Sequence, residues 1–344
     1  MAAVVLVPVV VLVTAGIFYL YGVLLRLLNK TTLRNKVVLM TDSLSALGNE
    51  SAKLFHKAGA RLILCGKNWE KLEDLAEQLA NESDPTLTFP PKLVELDFAD
   101  TESLPEVVSD VLDCYGCLDV LIINSSMKVK APAQTLSLEM DKLVMDANYF
   151  GPITLAKGVL PSMITRRSGH ILLVNSIQGK LAVPFRTTYA ASKHAVQAFF
   201  DCLRAEVQEY GISVSTLSHT FIKAAPSVKQ TTTTKSILSG MSTSPSSRNV
   251  TTYDSSFGTE SSHLHAHECL SFKPAALTRQ KPQGISPEEM ASELLKTLNN
   301  KNNEIIMAHS ISKAAIYARP FFPNFFFSVM ASGVRNTAVM EYMQ

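Results

Sequence analysis

The sequence predicts an α/β fold, a doubly wound parallel sheet, with an N-terminal hydrophobic anchor. Three observations predict it. Between Lys36 and Ser218, strand-like and helix-like runs alternate with little between them. The strand-like runs are apolar on both faces, the pattern of strands that helices cover from both sides. Residues 1–25, ahead of that domain, carry no charged side chain.

Element by element, "KVVLMT" (36–41) reads as a strand and 45–59 as a helix closed by Gly59. "RLILCG" (61–66) and a helix over 68–82 follow, then "KLVELD" (92–97) and a helix over 101–115. "LDVLIIN" (118–124) leads to one long helical stretch over about 138–167, then to "HILLVNS" (170–176). A helix over about 184–210 and the strand "ISVSTLS" (212–218) complete the alternation. Right-handed crossovers turn such a series into a Rossmann-type sheet. Order resumes at "SPEEMASELLKTLNN" (286–300), with Ser286 as N-cap, Pro287 at the first helical position and two glutamates in the first turn. "EIIMA" (304–308) supplies a last strand.

The 344 residues, 47% hydrophobic and 18% charged with a net charge of +2, fit one large domain plus extras. They offer no basic field for nucleic acid. Residues 1–25 would span the ~30 Å apolar core of a bilayer as a helix. Arg26, Lys30, Arg34 and Lys36 follow at once, so residues 1–28 read as an uncleaved anchor with the main domain in the cytosol. Cleavage as a signal peptide is the alternative and would give a secreted form. Residues 29–344 then form a single domain. Between Pro226 and Ser262, 19 of 37 residues are Ser or Thr, which marks about 224–284 as a disordered insert. The tail 311–344 is rich in aromatics and broken by Pro320 and Pro323, too short for a second span. It either covers the core and substrate mouth or dips into a membrane interface.

No metal site is expected. Cys114 and Cys117 form one C-x-x-C with no second pair, and "HLHAHEC" (263–269) lacks a rigid frame. The scattered cysteines suit a reducing compartment.

The chemistry concentrates around the fifth strand. Ser176 ends it, Tyr189 stands in "TTYAASKHA" (187–195), and Lys193 lies four residues on, on the same helix face. Hydride transfer to a carbonyl needs a proton donor at the oxygen, and the reverse reaction needs a base there. A phenol ordinarily titrates near pH 10, about three units too high for that work, and a neighbouring ammonium stabilises its phenolate. A serine at the carboxyl edge of the adjacent strand, where such sheets bind ligands, can hydrogen-bond the same oxygen.

These residues resemble the short-chain dehydrogenase/reductase superfamily over about 36–222 and again over 286–308. The resemblance implies an Asn-Ser-Tyr-Lys tetrad at Asn148 in "MDANYFG" (145–151), Ser176, Tyr189 and Lys193. It implies that Asn148 holds a proton-relay water, Ser176 the substrate carbonyl, Tyr189 the acid–base role and Lys193 the nicotinamide ribose. It further implies NAD or NADP as cofactor, a retinoid- or steroid-like substrate and a place in a reticulum membrane. The family's first turn, T-G-x-x-x-G-[IL]-G, here runs Thr41, Asp42, Ser43, Leu44, Ser45, Ala46, Leu47, Gly48, so only the last glycine remains. A charged Asp42 at ~4 Å from a pyrophosphate would repel it by about 4 kcal/mol at an effective dielectric of 20. Turned away to cap the helix, it would leave Ser43, Ser45 and the N–H groups around Leu47 for the phosphates. The family's N-N-A-G is reduced to Ile123, Asn124, Ser125, Ser126, and its P-G to His219, Thr220.

The expected cofactor contacts are therefore Ser43, Ser45, Leu47, Lys67, Asp97, Asn124, Thr220, Tyr189 and Lys193. Asp97 would meet the adenine. Lys67, in "CGKN" (65–68), stands where a cation accommodates the 2′-phosphate of NADP, a slight lean that leaves NAD open. The expected partners are a small apolar substrate, a membrane and a second copy of the chain. The alternative is a cofactor-poor scaffold of the same fold, acting through protein contacts in the reticulum membrane.

Overall fold

The computed structural model describes residues 33–84, 86–223 and 284–342, with Thr14, Gly16 and Ile17. The expected anchor falls almost wholly outside these residues, as do the Ser/Thr-rich insert up to Gly284 and "HLHAHEC".

The strands are β1 (Val37–Met40), β2 (Arg61–Gly66), β3 (Lys92–Glu95), β4 (Val120–Asn124), β5 (Gly169–Ser176), β6 (Ile212–His219) and β7 (Glu304–Met307). All pair in parallel, in the order β3-β2-β1-β4-β5-β6-β7. The strand order reverses between β1 and β4, and that is where a doubly wound sheet opens its ligand crevice. The helices are α1 (Ala46–Lys57), α2 (Trp69–Asn81), α3 (Leu104–Tyr115), α4 (Leu138–Met145), α5 (Gly151–Arg166), α6 (Thr187–Val207), α7 (Pro287–Asn300), α8 (Ser310–Ala318) and α9 (Pro323–Tyr342).

Alternate strand residues point to opposite faces, so the sheet feeds two cores. Leu39, Ile63, Leu121 and Leu173 face Val111, Val159 and Phe200 of α3, α5 and α6. Val38, Met40, Leu64 and Leu172 face Phe55, Leu75 and Leu294 of α1, α2 and α7. Burying one such side chain contributes roughly 1.5–3 kcal/mol, which fixes the register: a one-residue slip would exchange the two faces.

One sequence expectation needs correction, and of the two readings of the tail the structure bears on one. The stretch 138–167 is not one helix. It breaks into α4, a π-helical segment Asp146–Phe150 and α5, and Pro152 starts α5 where its missing N–H costs nothing. The described side chains of the tail lie at the surface and not over the core. Pro320 stops α8 and Pro323 opens α9, and Phe321, Phe322, Phe325 and Phe327 are 78%, 64%, 74% and 55% exposed.

Candidate active site

Helix α6 carries Tyr189 in its first turn and Lys193 one turn later, and both side chains are buried at the carboxyl edge of the sheet. The helix is held in place from two sides. Thr188 Oγ1 donates a short hydrogen bond to Asp141 Oδ1 of α4. Asn175 Nδ2, on β5, donates to Lys193 O and Gln197 Oε1, both at 3.1 Å.

The ammonium of Lys193 donates to Ser125 O and lies 5.9 Å from the centroid of the Tyr189 ring. Burial, reinforced by the charge of Lys128, pushes Lys193 down to about 7, with Asp42 opposing the shift. The Tyr189 hydroxyl lies 3.5 Å from Ser126 Oγ. Ser176 is buried at the end of β5, where its Oγ accepts from Gln178 N at 3.2 Å. The buried Ser125 Oγ has no hydrogen-bond partner among the described residues, a hydroxyl beside Lys193 still available to a ligand.

Asn148 sits in the π segment, a form of helix that recurs at functional sites. Its Oδ1 accepts from Met127 N at 2.8 Å, and its Nδ2 donates to Met127 O at 2.9 Å and to Ser192 Oγ at 3.1 Å. Both amide hydrogens are committed, so the Asn148 side chain cannot donate to a relay water. It fixes the loop after β4 against α6, and a relay water could reach it only as a donor to an oxygen of Asn148. Asn148→Ala should leave the Met127 N–H and C=O unpartnered and cost roughly 2–5 kcal/mol in urea unfolding.

The phosphate end is built around the turn after β1. Thr41 Oγ1 donates to Asn124 O at 3.0 Å and accepts from Asn124 N at 2.8 Å, extending the β1–β4 ladder by one side chain. Ser45, not Asp42, caps α1: Gly48 N donates to its Oγ at 3.0 Å, and that Oγ donates to Asp42 O at 2.8 Å. The Ser43 hydroxyl is buried, donating to Met40 O at 2.9 Å and accepting from Cys65 N at 3.2 Å, so it is not available to a phosphate. This corrects the expected Ser43 contact. Ala46 and Leu47 present first-turn N–H groups, for which a helix has no internal partner.

Asp42 adopts φ 52°, a left-handed conformation that Asp tolerates better than most residues. Its carboxylate faces the crevice. Asn124 Nδ2 approaches Oδ2 at 3.5 Å. Burial raises the acid to about 6, against opposing hydrogen-bonding from Ser45 and the charges of Lys128, Lys67 and Lys193.

Lys67 and Asp97 lie together at the ends of β2 and β3, but they bind each other at 2.8 Å, and Asp97 Oδ1 also accepts from Ala99 N. An exposed pair of this kind contributes at most about 1 kcal/mol, so an incoming phosphate can compete for Lys67. Thr220 donates its N–H to Met307 O at 3.2 Å and lines a cleft with Lys223, Ile285 and His309. None of the four tetrad residues lines that cleft.

Residues 36–236 match the sequence profile described as short chain dehydrogenase, more than half of the chain. The chain belongs to the short-chain dehydrogenase/reductase family. Among its relatives is dehydrogenase/reductase SDR family member 7C-B of Danio rerio, 61% identical, covering 95% of this chain and 92% of that one. Dehydrogenase/reductase SDR family member 7C of Homo sapiens is 48% identical and covers 97% and 96%. Member 7B of Bos taurus is 38% identical over 93% and 88%. Among solved structures, L-sorbose reductase from Gluconobacter frateurii, complexed with NADPH and L-sorbose, aligns with TM-score 0.52 at 24% identity, over 56% of this chain and 72% of that one. A metagenomic short-chain oxidoreductase in complex with NADP aligns with TM-score 0.51 at 22% identity, over 55% and 84%. At these identities the structures confirm the short-chain dehydrogenase/reductase fold.

Three residues near the tetrad were not singled out as site residues by the sequence, the first being Ser125 beside Lys193. Ser126 meets the tyrosine hydroxyl, and His219 sits where burial, Lys128 and Lys193 push it down to about 4. Ser126 has one sequence signal, its place just past the β4 end. His219 has a similar one, at the end of β6.

Proposed function

We propose that the protein is a membrane-associated oxidoreductase that transfers hydride between NAD(P) and an alcohol or carbonyl of a small apolar substrate. The observation that carries this is the Tyr189–Lys193 pair, buried at the carboxyl edge of the sheet with the Ser126 hydroxyl at the phenol. Tyr189 gives a proton to the carbonyl oxygen or takes one from the alcohol, and Ser176 hydrogen-bonds the same oxygen. Lys193, when protonated, favours the phenolate. Bound NAD(P) would supply or accept the hydride. The chain would hold its pyrophosphate with the N–H groups of Ala46 and Leu47, and its ribose with Lys193. The residues present fit such a cofactor at the nicotinamide end, where Lys193 and the unpartnered Ser125 hydroxyl lie. At the pyrophosphate end they fit it once the Asp42 carboxyl is neutral.

The retinoid- or steroid-like substrate class and the reticulum membrane are supported by the charge-free run 1–25 and by the exposed aromatics at the α8–α9 junction. Tyr and Phe side chains so placed suit the boundary between headgroups and acyl chains of a bilayer. The test uses the full-length chain in liposomes, with retinol and steroid alcohols offered together with NAD or NADP. Cofactor reduction with an apolar alcohol, and not with short-chain alcohols, is expected. No reduction with any alcohol or cofactor would favour the scaffold reading, which the carboxylate of Asp42 in the turn supports.

A further inference from the structure

The turn after β1 holds an acid at the place where the dinucleotide reading needs an anion to enter. The backbone around it is closed on three sides. Ser43 N donates to Cys65 O at 2.8 Å, and Ser45 N donates to Asp42 O at 3.2 Å. A Cβ on Gly48 would come within 2.3 Å of Asp42 O, so α1 packs closely against the backbone of the turn. The side chain lies between β1 and β4, where Asn124 Nδ2 is 3.5 Å from its Oδ2 while donating to Ser45 Oγ at 3.1 Å.

The charges around it do not neutralise it. Asp42 makes no ion pair among the described residues. Lys67, from the end of β2, is paired with Asp97. Lys193, from α6, donates to Ser125 O. Lys128, from the loop after β4, acts on Asp42, Lys193 and His219 alike. Asn124 and Ser45, from β4 and the start of α1, are neutral.

We propose that Asp42 couples cofactor binding to proton uptake: the pyrophosphate of NAD(P) reaches the N-terminus of α1 only when the Asp42 carboxyl is protonated. The inference rests on the dinucleotide reading above. Burial places the proton's loss at about pH 6 in the free protein. A bound pyrophosphate disfavours the carboxylate further, so the complex holds more protons than the free protein. By linkage, affinity then falls as pH rises above about 6, by up to about tenfold per unit. Lys193, pushed down to about 7, loses its charge in the same range and weakens anion binding in the same direction, so the Asp42 contribution has to be isolated by substitution.

The experiment titrates NADH and NADPH into the full-length chain in detergent, at about pH 6 and about pH 8, by calorimetry in two buffers of different ionisation enthalpy. Asp42→Asn keeps the shape and the tolerance of a left-handed backbone, and Asp42→Gly serves if the Asn variant folds poorly. At about pH 8 the variant is expected to bind at least tenfold more tightly than the wild type and to take up fewer protons. Equal affinity and equal proton uptake in wild type and variant would overturn the proposal while leaving the dinucleotide reading intact. No binding by either protein at either pH would overturn both.

Discussion

Tyr189→Phe should lower turnover by about 10²–10⁴-fold while nucleotide affinity changes by no more than about twofold. The size follows from removing the proton donor at the reacting oxygen. The selectivity follows from what surrounds the ring: the side chain is buried on α6, its hydroxyl meets Ser126 Oγ at 3.5 Å, and Phe keeps the packing. Lys193 keeps its bond to Ser125 O, because that bond does not pass through the phenol. Turnover is followed by nicotinamide absorbance and affinity by fluorescence titration of the same preparations. Equal loss in both would make Tyr189 a structural residue and remove the acid–base assignment.

Gly48→Ala should be the most destabilising single methyl in the turn. The added carbon would meet Asp42 O at 2.3 Å and the Ser43 C and Cα atoms at 2.7 Å, all backbone. Backbone held by the Ser43–Cys65 and Ser45–Asp42 hydrogen bonds cannot yield as a flexible side chain would. Overpacking typically costs about 1–3 kcal/mol, and a backbone that cannot yield puts this case at about 3 kcal/mol, a fall in Tm of roughly 6–12 °C for a domain of this size. Thermal unfolding of wild type and variant checks it, and an unchanged Tm would mean that the turn is looser than its hydrogen bonds indicate. The same substitution should also weaken nucleotide binding, since it moves the first N–H groups of α1.

The sheet was legible because its strands are buried on both faces and its helices are capped by residues with a single strong reading, such as Ser286 with Pro287. The pair Tyr189 and Lys193 was legible because four residues is one helical turn. The break inside 138–167 was not, because Asp146 to Phe150 keep a helical apolar pattern while gaining one residue per turn, and periodicity cannot register a π segment. Which oxygen caps α1 was also beyond the sequence. Asp42 and Ser45 are both capping residues by type, and the left-handed backbone at 42 decides between them. The Ser43 hydroxyl was assigned to phosphate by its place in the turn, but an alternate position on the strand side sends it to Met40 O and Cys65 N. Lys67 and Asp97 were expected at strand ends; they lie just past β2 and β3, and as neighbouring opposite charges they satisfy each other first.

The most direct measurement of the central claim uses the single tryptophan. Trp69 opens α2 two residues after Lys67, at the end of β2, and is 45% exposed. A reduced dinucleotide bound across the β1–β4 crevice would lie within energy-transfer range of it. NADH and NADPH are titrated separately into the full-length chain in detergent at about pH 6, with Trp69 excited and nicotinamide emission recorded. Saturable transfer with at least one of the two, retained in Tyr189→Phe, is the predicted result. No transfer from Trp69 to either nucleotide at millimolar concentration would contradict a dinucleotide-dependent oxidoreductase.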